Sequence, residues 1–301
     1  MTDERIDERK RTVRNTKRTV RNTKRTVRNV TIFSVAALVC GWVGVWVDRA
    51  TGANGAVPDQ GIGMLIWLGT PLIVSLLLRG FAGDGWRDLG LSLHLRGNLS
   101  MYLISLLLYP AAALMVIGAG AVTGSVALAG LTLSELAPLF GMLLLTGFPK
   151  NIIEEFAWRG YLAPKLFLLG IDALAAHVLV GLIWGAWHLP YLGFVLSYLA
   201  EDDPPMVVTR FLLGTVAASL VYGEIRLRTH SVWPAVLMHT VGGAFIAVLV
   251  VDALEIAPGM EYLFSPGIEG TLMIAIFSLV GLGLYARRTA ESGREQLMEN
   301  R

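Results

Sequence analysis

Apolar runs too long for an ordinary soluble helix recur down this chain, and they decide its class before any single residue does. Stretches near 30–47, 61–78, 99–123, 136–159, 173–199, 206–225, 232–251 and 271–285 each read as a helix able to cross a bilayer, which takes roughly 20 mostly apolar residues. Composition agrees. Of the 301 residues, 54% are hydrophobic and 16% charged, against roughly 25% charged in soluble domains, and mean hydropathy is +0.59. The expected fold is all-α: a polytopic transmembrane bundle of about eight spans.

Charge orients the spans. Eleven of the 25 Lys and Arg residues precede Val30. Segments 79–96, 159–172, 226–231 and 287–301 should share their compartment, and each carries Lys or Arg. The intervening loops carry acids instead: Glu135, then Glu201, Asp202 and Asp203, then Asp252, Glu255, Glu261 and Glu269, with Arg49 the exception. The positive-inside rule then makes both termini cytoplasmic, in a multi-pass protein of the cell membrane. Val30 opens a run long enough to stay in the bilayer, so the start reads as a signal anchor.

Three regions follow: a basic arm over 1–29, a transmembrane domain over 30–285 with its functional core about 136–251, and a tail over 286–301. The arm repeats Lys-Arg-Thr-Val-Arg-Asn-Thr from Lys10, Lys17 and Lys24. One apolar residue per heptad is too few for a coiled-coil seam, so a solvated, disordered arm is expected, its charge suited to anionic lipid. Cys40 is the only cysteine, which excludes an intrachain disulfide and any Cys-based zinc cluster. The loop 83–96 mixes Trp and Leu with charges and should lie in the headgroup region, His94 facing water.

Against this background the charges at 149–159, Pro-Lys-Asn-Ile-Ile-Glu-Glu-Phe-Ala-Trp-Arg, stand out because ionisable groups inside a membrane are costly and read as functional. On a helix Glu155 pairs with Arg159 in the favourable order and Lys150 with Glu154 in the poorer one. Glu154 is the less committed carboxylate. His188, in Trp-Gly-Ala-Trp-His-Leu-Pro, and His239, in Ser-Val-Trp-Pro-Ala-Val-Leu-Met-His, are the later partners for it.

His239 falls about 12 Å in from the basic end at 1.5 Å per residue, and His188 about 24 Å. Convergence therefore asks that 166–176 run along the interface or that the helix tilt. His177 reads as a mouth or packing residue, and Glu224 and His230 as solvated interface.

Glutamate and histidine together can deprotonate water and return the proton to a leaving amine, with a second imidazole donating to the oxyanion. Glu154, His188 and His239 are equally a formal zinc set with one open position, although no His-Glu-x-x-His occurs. On the residues alone both routes stay open.

Glu154-Glu155-x-x-x-Arg159, the aromatic-x-x-x-His at Trp184 to His188, and His239 after Ser231-Val-Trp-Pro resemble the three motifs of the CPBP intramembrane proteases. That family includes the type II CAAX prenyl endopeptidases and relatives linked to bacteriocin self-immunity. The resemblance covers roughly 147–243. It implies an endopeptidase open to the cytoplasmic leaflet, with Glu154 and His188 activating water, Glu155 and Arg159 bracing the site, and His239 stabilising the oxyanion, the metal-free form without a cofactor being favoured over zinc.

Two positions depart from the pattern. Trp184 replaces Phe, and Gly243 stands where Asn or Asp is expected, leaving Thr240 or a backbone N–H near Gly242 to substitute. Expected partners are the bilayer and a peptide or protein substrate, not nucleic acid. Two rival classes stay open: a non-catalytic binding or immunity protein, for which Gly243 is the mark, and an ion-coupled transporter, against which stands the lack of an inverted repeat.

Overall fold

The computed structural model describes residues 2–52, 61–130, 132–192 and 203–299. Among these the elements run α1 (Thr2–Ala50), α2 (Ile62–Phe81), α3 (Leu99–Val122), β1 (Val126–Leu128), α4 (Leu133–Ala157), α5 (Ala163–Leu168), α6 (Ala173–His188), α7 (Pro204–Thr229), α8 (Trp233–Val248), β2 (Leu254–Ile256), α9 (Glu261–Phe264) and α10 (Thr271–Glu299). Seven helical stretches are long and apolar enough to cross a membrane, and α8, at 16 residues, is a shorter apolar helix beside them. The all-α polytopic bundle is what the chain forms. It is a multi-pass integral membrane protein.

Several boundaries move for identifiable reasons. Helix runs straight through 2–29, where the sequence suggests a disordered arm, as the start of the 49-residue α1. Arg and Lys are good helix formers, and the apolar half of α1 supplies the nucleus from which helix propagates. The end of the arm is also packed: Asn29 is buried and its Nδ2 donates to the Ala82 carbonyl at 3.3 Å.

α4 passes its expected end because a π-helical turn, Trp158–Leu162, joins it to α5. α6 stops at His188, and Leu189–Tyr191 adds one tight turn. Pro190, which has no N–H to donate, accounts for that stop. Residues 193–199 of the fifth expected span, with Glu201 and Asp202, lie outside the described residues. The two strands were not legible beforehand; they pair antiparallel with Val126 opposite Ile256.

Small residues let the helices approach closely, as membrane packing favours. A Cβ on Gly44 of α1 would run into the Gly63 carbonyl of α2, and one on Gly181 of α6 into the Val216 backbone of α7. At the centre Trp67 and Trp187 stack with centroids 4.3 Å apart, and each indole N–H donates to the other's backbone carbonyl, at 2.8 and 3.2 Å. This reciprocal tie fixes the α6 backbone one residue before His188.

Three cations gather on the loop after α2 and clamp it to the helices. Asp88 takes Arg79 at 2.6 Å and Lys165 at 2.8 Å, its backbone carbonyl takes Arg226 at 2.7 Å, and the Gly90 carbonyl takes Val232 N–H at 2.9 Å. His94 is exposed, as expected.

Burial works against the Asp88 carboxylate, but the hydrogen bonds from Lys165 and Arg79 outweigh it and hold its pKa below the usual value. Because folding lowers that pKa, the clamp is complete above the ordinary carboxylate value of ~3.9 and is lost only as pH falls through the lowered one. Asp88→Asn at neutral pH should loosen the loop by about 1–3 kcal/mol. Faster trypsin cleavage at the exposed Arg87 would register it, and an unchanged cleavage rate would contradict it.

Candidate functional site

The polar residues of α4, α6 and α8 meet below this clamped loop. α4 supplies three consecutive roles because its inner face carries Asn151, Glu154 and Glu155 while the π turn swings Arg159 inward; all four are buried. Extra-residue turns of this kind recur at functional sites.

Glu155 Oε1 accepts from Arg159 Nη1 at 3.0 Å, as the helix spacing predicts, and from His239 Nδ1 at 2.9 Å. Arg159 lies between two rings, its guanidinium carbon 4.6 Å from the Trp184 centroid and 4.4 Å from that of Tyr222. Glu154 is not uncommitted: Oε1 accepts from Lys150 Nζ at 2.8 Å and Oε2 from Trp184 Nε1 at 3.1 Å.

The depth problem posed by His188 disappears because the α4 helix does not end at Arg159: the π turn and α5 carry it on to Leu168, about 21 Å beyond Glu154 at 1.5 Å per residue, so the 16-residue α6 returns His188 to that level. The Trp184 ring centroid lies 5.8 Å from the His188 ring and 5.6 Å from the His239 ring. His188 Nδ1 bonds the Trp184 carbonyl at 2.8 Å. A carbonyl can only accept, so Nδ1 carries the hydrogen and Nε2 presents a lone pair. Phe211 and Trp187 wall the imidazole, with centroids at 5.3 and 4.6 Å. All five expected residues, Glu154, Glu155, Arg159, His188 and His239, thus belong to one connected cluster.

Other residues were missed or misread. Asn151 Nδ2 donates to Thr240 Oγ1 at 3.3 Å, a bond that orients the hydroxyl and does not use the Thr240 O–H. Asn151 was findable as the polar residue four before Glu155. Asn151 Oδ1 and Glu155 Oε2 find no partner among the described residues, leaving buried acceptors for a water or a substrate N–H.

His177 is buried, the packing residue of its two readings, whereas Glu224 is not solvated interface. Glu224 is buried, bonded to His177 Nε2 at 3.2 Å and forked by Arg288 at 2.7 and 3.0 Å, which ties α10 to α6 and α7. Arg288 lies 64 residues away in sequence, beyond any helical spacing rule.

A zinc ion held by Glu154, His188 and His239 does not fit this arrangement. An ammonium already stands on Glu154 Oε1, and among the described residues no three His, Cys, Asp or Glu side chains stand close enough to hold a metal ion.

Residues 134–245 match the type II CAAX prenyl endopeptidase Rce1-like family. The match shows, for that stretch, the kinship expected from the motifs. No curated protein matches the chain. The Rce1-like stretch runs from the first turn of α4 to Phe245 of α8, so it holds the whole cluster and leaves α1–α3 and α10 outside. The stretch that is similar to that family therefore lies inside a multi-pass integral membrane protein.

Proposed function

We propose that this chain is an intramembrane endopeptidase that hydrolyses peptide bonds of membrane-associated substrates without a bound cofactor. The observation that carries the proposal is the buried Glu154 carboxylate joined through Trp184 to two imidazoles. His188 Nε2, an acceptor, orients a water. Glu154 takes its proton as the water oxygen bonds to the scissile carbonyl carbon. The same proton passes to the amine nitrogen as the C–N bond breaks. Glu155 holds His239 by Nδ1–H, and His239 donates to the carbonyl oxygen from Nε2 in its doubly protonated form, whose charge the Glu155 carboxylate balances.

The test is turnover by purified protein in detergent or liposomes on a library of peptides, some lipidated. Wild type should cleave a subset, and His188→Ala should lower that rate about a hundredfold or more. Equal rates for the two would defeat the assignment.

A second reading, a binding protein without turnover, is favoured by Gly243, exposed and bearing no donor, and by the Lys150 contact on Glu154. Specific capture of a peptide that neither wild type nor His188→Ala cleaves would support it.

A further inference from the structure

Between α1 and α2, away from the polar cluster, runs a groove of about 560 Å³, lined by the face of α1 from Thr31 to Val43 and by Ile66 and Thr70 of α2. The two threonines turn their hydroxyls to their own helices, Thr31 to the Val27 carbonyl and Thr70 to the Ile66 carbonyl, so the walls are apolar. Thr31 to Val43 spans about 18 Å at 1.5 Å per residue. One leaflet of a bilayer's hydrocarbon core is about 15 Å deep. The groove thus has the length of a single acyl chain laid along the helices.

The same face of α1 turns basic where the groove ends. At 3.6 residues per turn, Arg21, Lys24, Arg25 and Arg28 fall within about 70° of the groove's midline. Arg28 Nε and Nη2 donate to Asn29 Oδ1 at 3.0 and 2.9 Å, and Asn29 Nδ2 is spent on the Ala82 carbonyl where the clamped loop begins. A neutral amide therefore holds that guanidinium at the joint of α1 and α2 and leaves its charge unbalanced. Arg25 reaches the same joint, its Nη1 3.1 Å from where a Cβ on Gly83 would stand, and its Nε is buried without a partner among the described residues. Among the described residues no carboxylate pairs with any of these four cations.

We infer that the groove is a binding site for one anionic phospholipid, with its phosphate among Lys24, Arg25 and Arg28 and one acyl chain between α1 and α2. Basic pockets between membrane helices take anionic head groups, and guanidinium groups suit phosphate oxygens. The site differs from a general attraction of the basic arm to a charged surface in two respects: it holds one lipid, and it selects the tail as well as the head. It stands apart from the peptidase reading, since all its residues precede the stretch that matches the family.

The test titrates purified protein in neutral detergent with phosphatidylglycerol, with phosphatidylcholine of the same chains, and with glycerol phosphate, counting bound lipid by native mass spectrometry. One phosphatidylglycerol should bind at least about tenfold more tightly than phosphatidylcholine, and glycerol phosphate should not displace it. Lys24→Gln combined with Arg28→Gln should abolish that preference. Val39→Trp leaves every cation in place but puts an indole in the groove, and should weaken phosphatidylglycerol binding by about tenfold; Val35→Trp repeats the test at the next position. All four residues are exposed, so the variants should melt like wild type in lipid-free detergent.

Equal binding of the two lipids, or a preference that survives the loss of both charges, would mean annular lipid only. Loss of binding in the charge variant but in neither tryptophan variant would mean a charged surface without a groove. Displacement by glycerol phosphate would make the ligand a free phosphate, and a wild-type dimer that Val39→Trp dissociates would give the groove to a second copy of the chain. Each of these results would overturn the proposal.

Discussion

Glu154→Gln should lower peptide hydrolysis by about 10²–10⁴-fold while changing thermal stability little. The amide matches the carboxylate in size, and its oxygen can still accept from Trp184 Nε1, so the link between α4 and α6 survives. What it loses is the capacity to take a proton from water. Lys150 loses its ion-pair partner, but its side chain is 48% exposed, and pairs of that kind contribute about 0–1 kcal/mol.

Initial rates on one cleaved peptide, beside melting curves in the same detergent, separate the two effects. A variant that melts like wild type and cleaves like wild type would remove Glu154 from the chemistry. Glu154→Asp sharpens the test. It keeps the charge but withdraws it by one methylene, and a misplacement of about 1 Å can cost about a hundredfold.

What the sequence revealed and what it hid follow from the range of the interactions involved. The Glu155–Arg159 pair was legible because helical spacing alone brings four-apart residues together. The Lys150–Glu154 pair was visible too, but the poorer order of its charges suggested a looser carboxylate than the one found. In the tertiary setting Trp184 adds a second donor that no local rule supplies.

The depth of His188 looked discordant because α4 was expected to end at Arg159, and no local rule shows that a π turn carries the helix on to Leu168. Segment counting located the bilayer-crossing stretches, since hydrophobic length is a local property. It could not show that the loop carrying Asp88 is clamped between Arg79, Lys165 and Arg226, which come from α2, α5 and α7.

Arg159→Met should destabilise the fold by about 3–5 kcal/mol, the loss expected when one member of a buried ion pair is removed. Arg159 and Glu155 are both fully buried. In the variant Glu155 would keep only His239, and the faces of Trp184 and Tyr222 would lose the cation between them. Glu155→Met should be comparably harmful, since it strands the guanidinium, two of whose nitrogens already find no partner among the described residues.

The double variant is expected to behave differently. With both charges replaced by flexible apolar side chains no ion is left stranded, so its cost should fall below the sum of the singles by about 0.5–3 kcal/mol. Denaturant titrations of the four proteins in mixed micelles measure that coupling. A double variant costing the full sum would mean that the two charges do not stabilise one another, and the bracing of His239 through Glu155 and Arg159 would have to be abandoned. Activity cannot decide the point, because all three variants disturb His239.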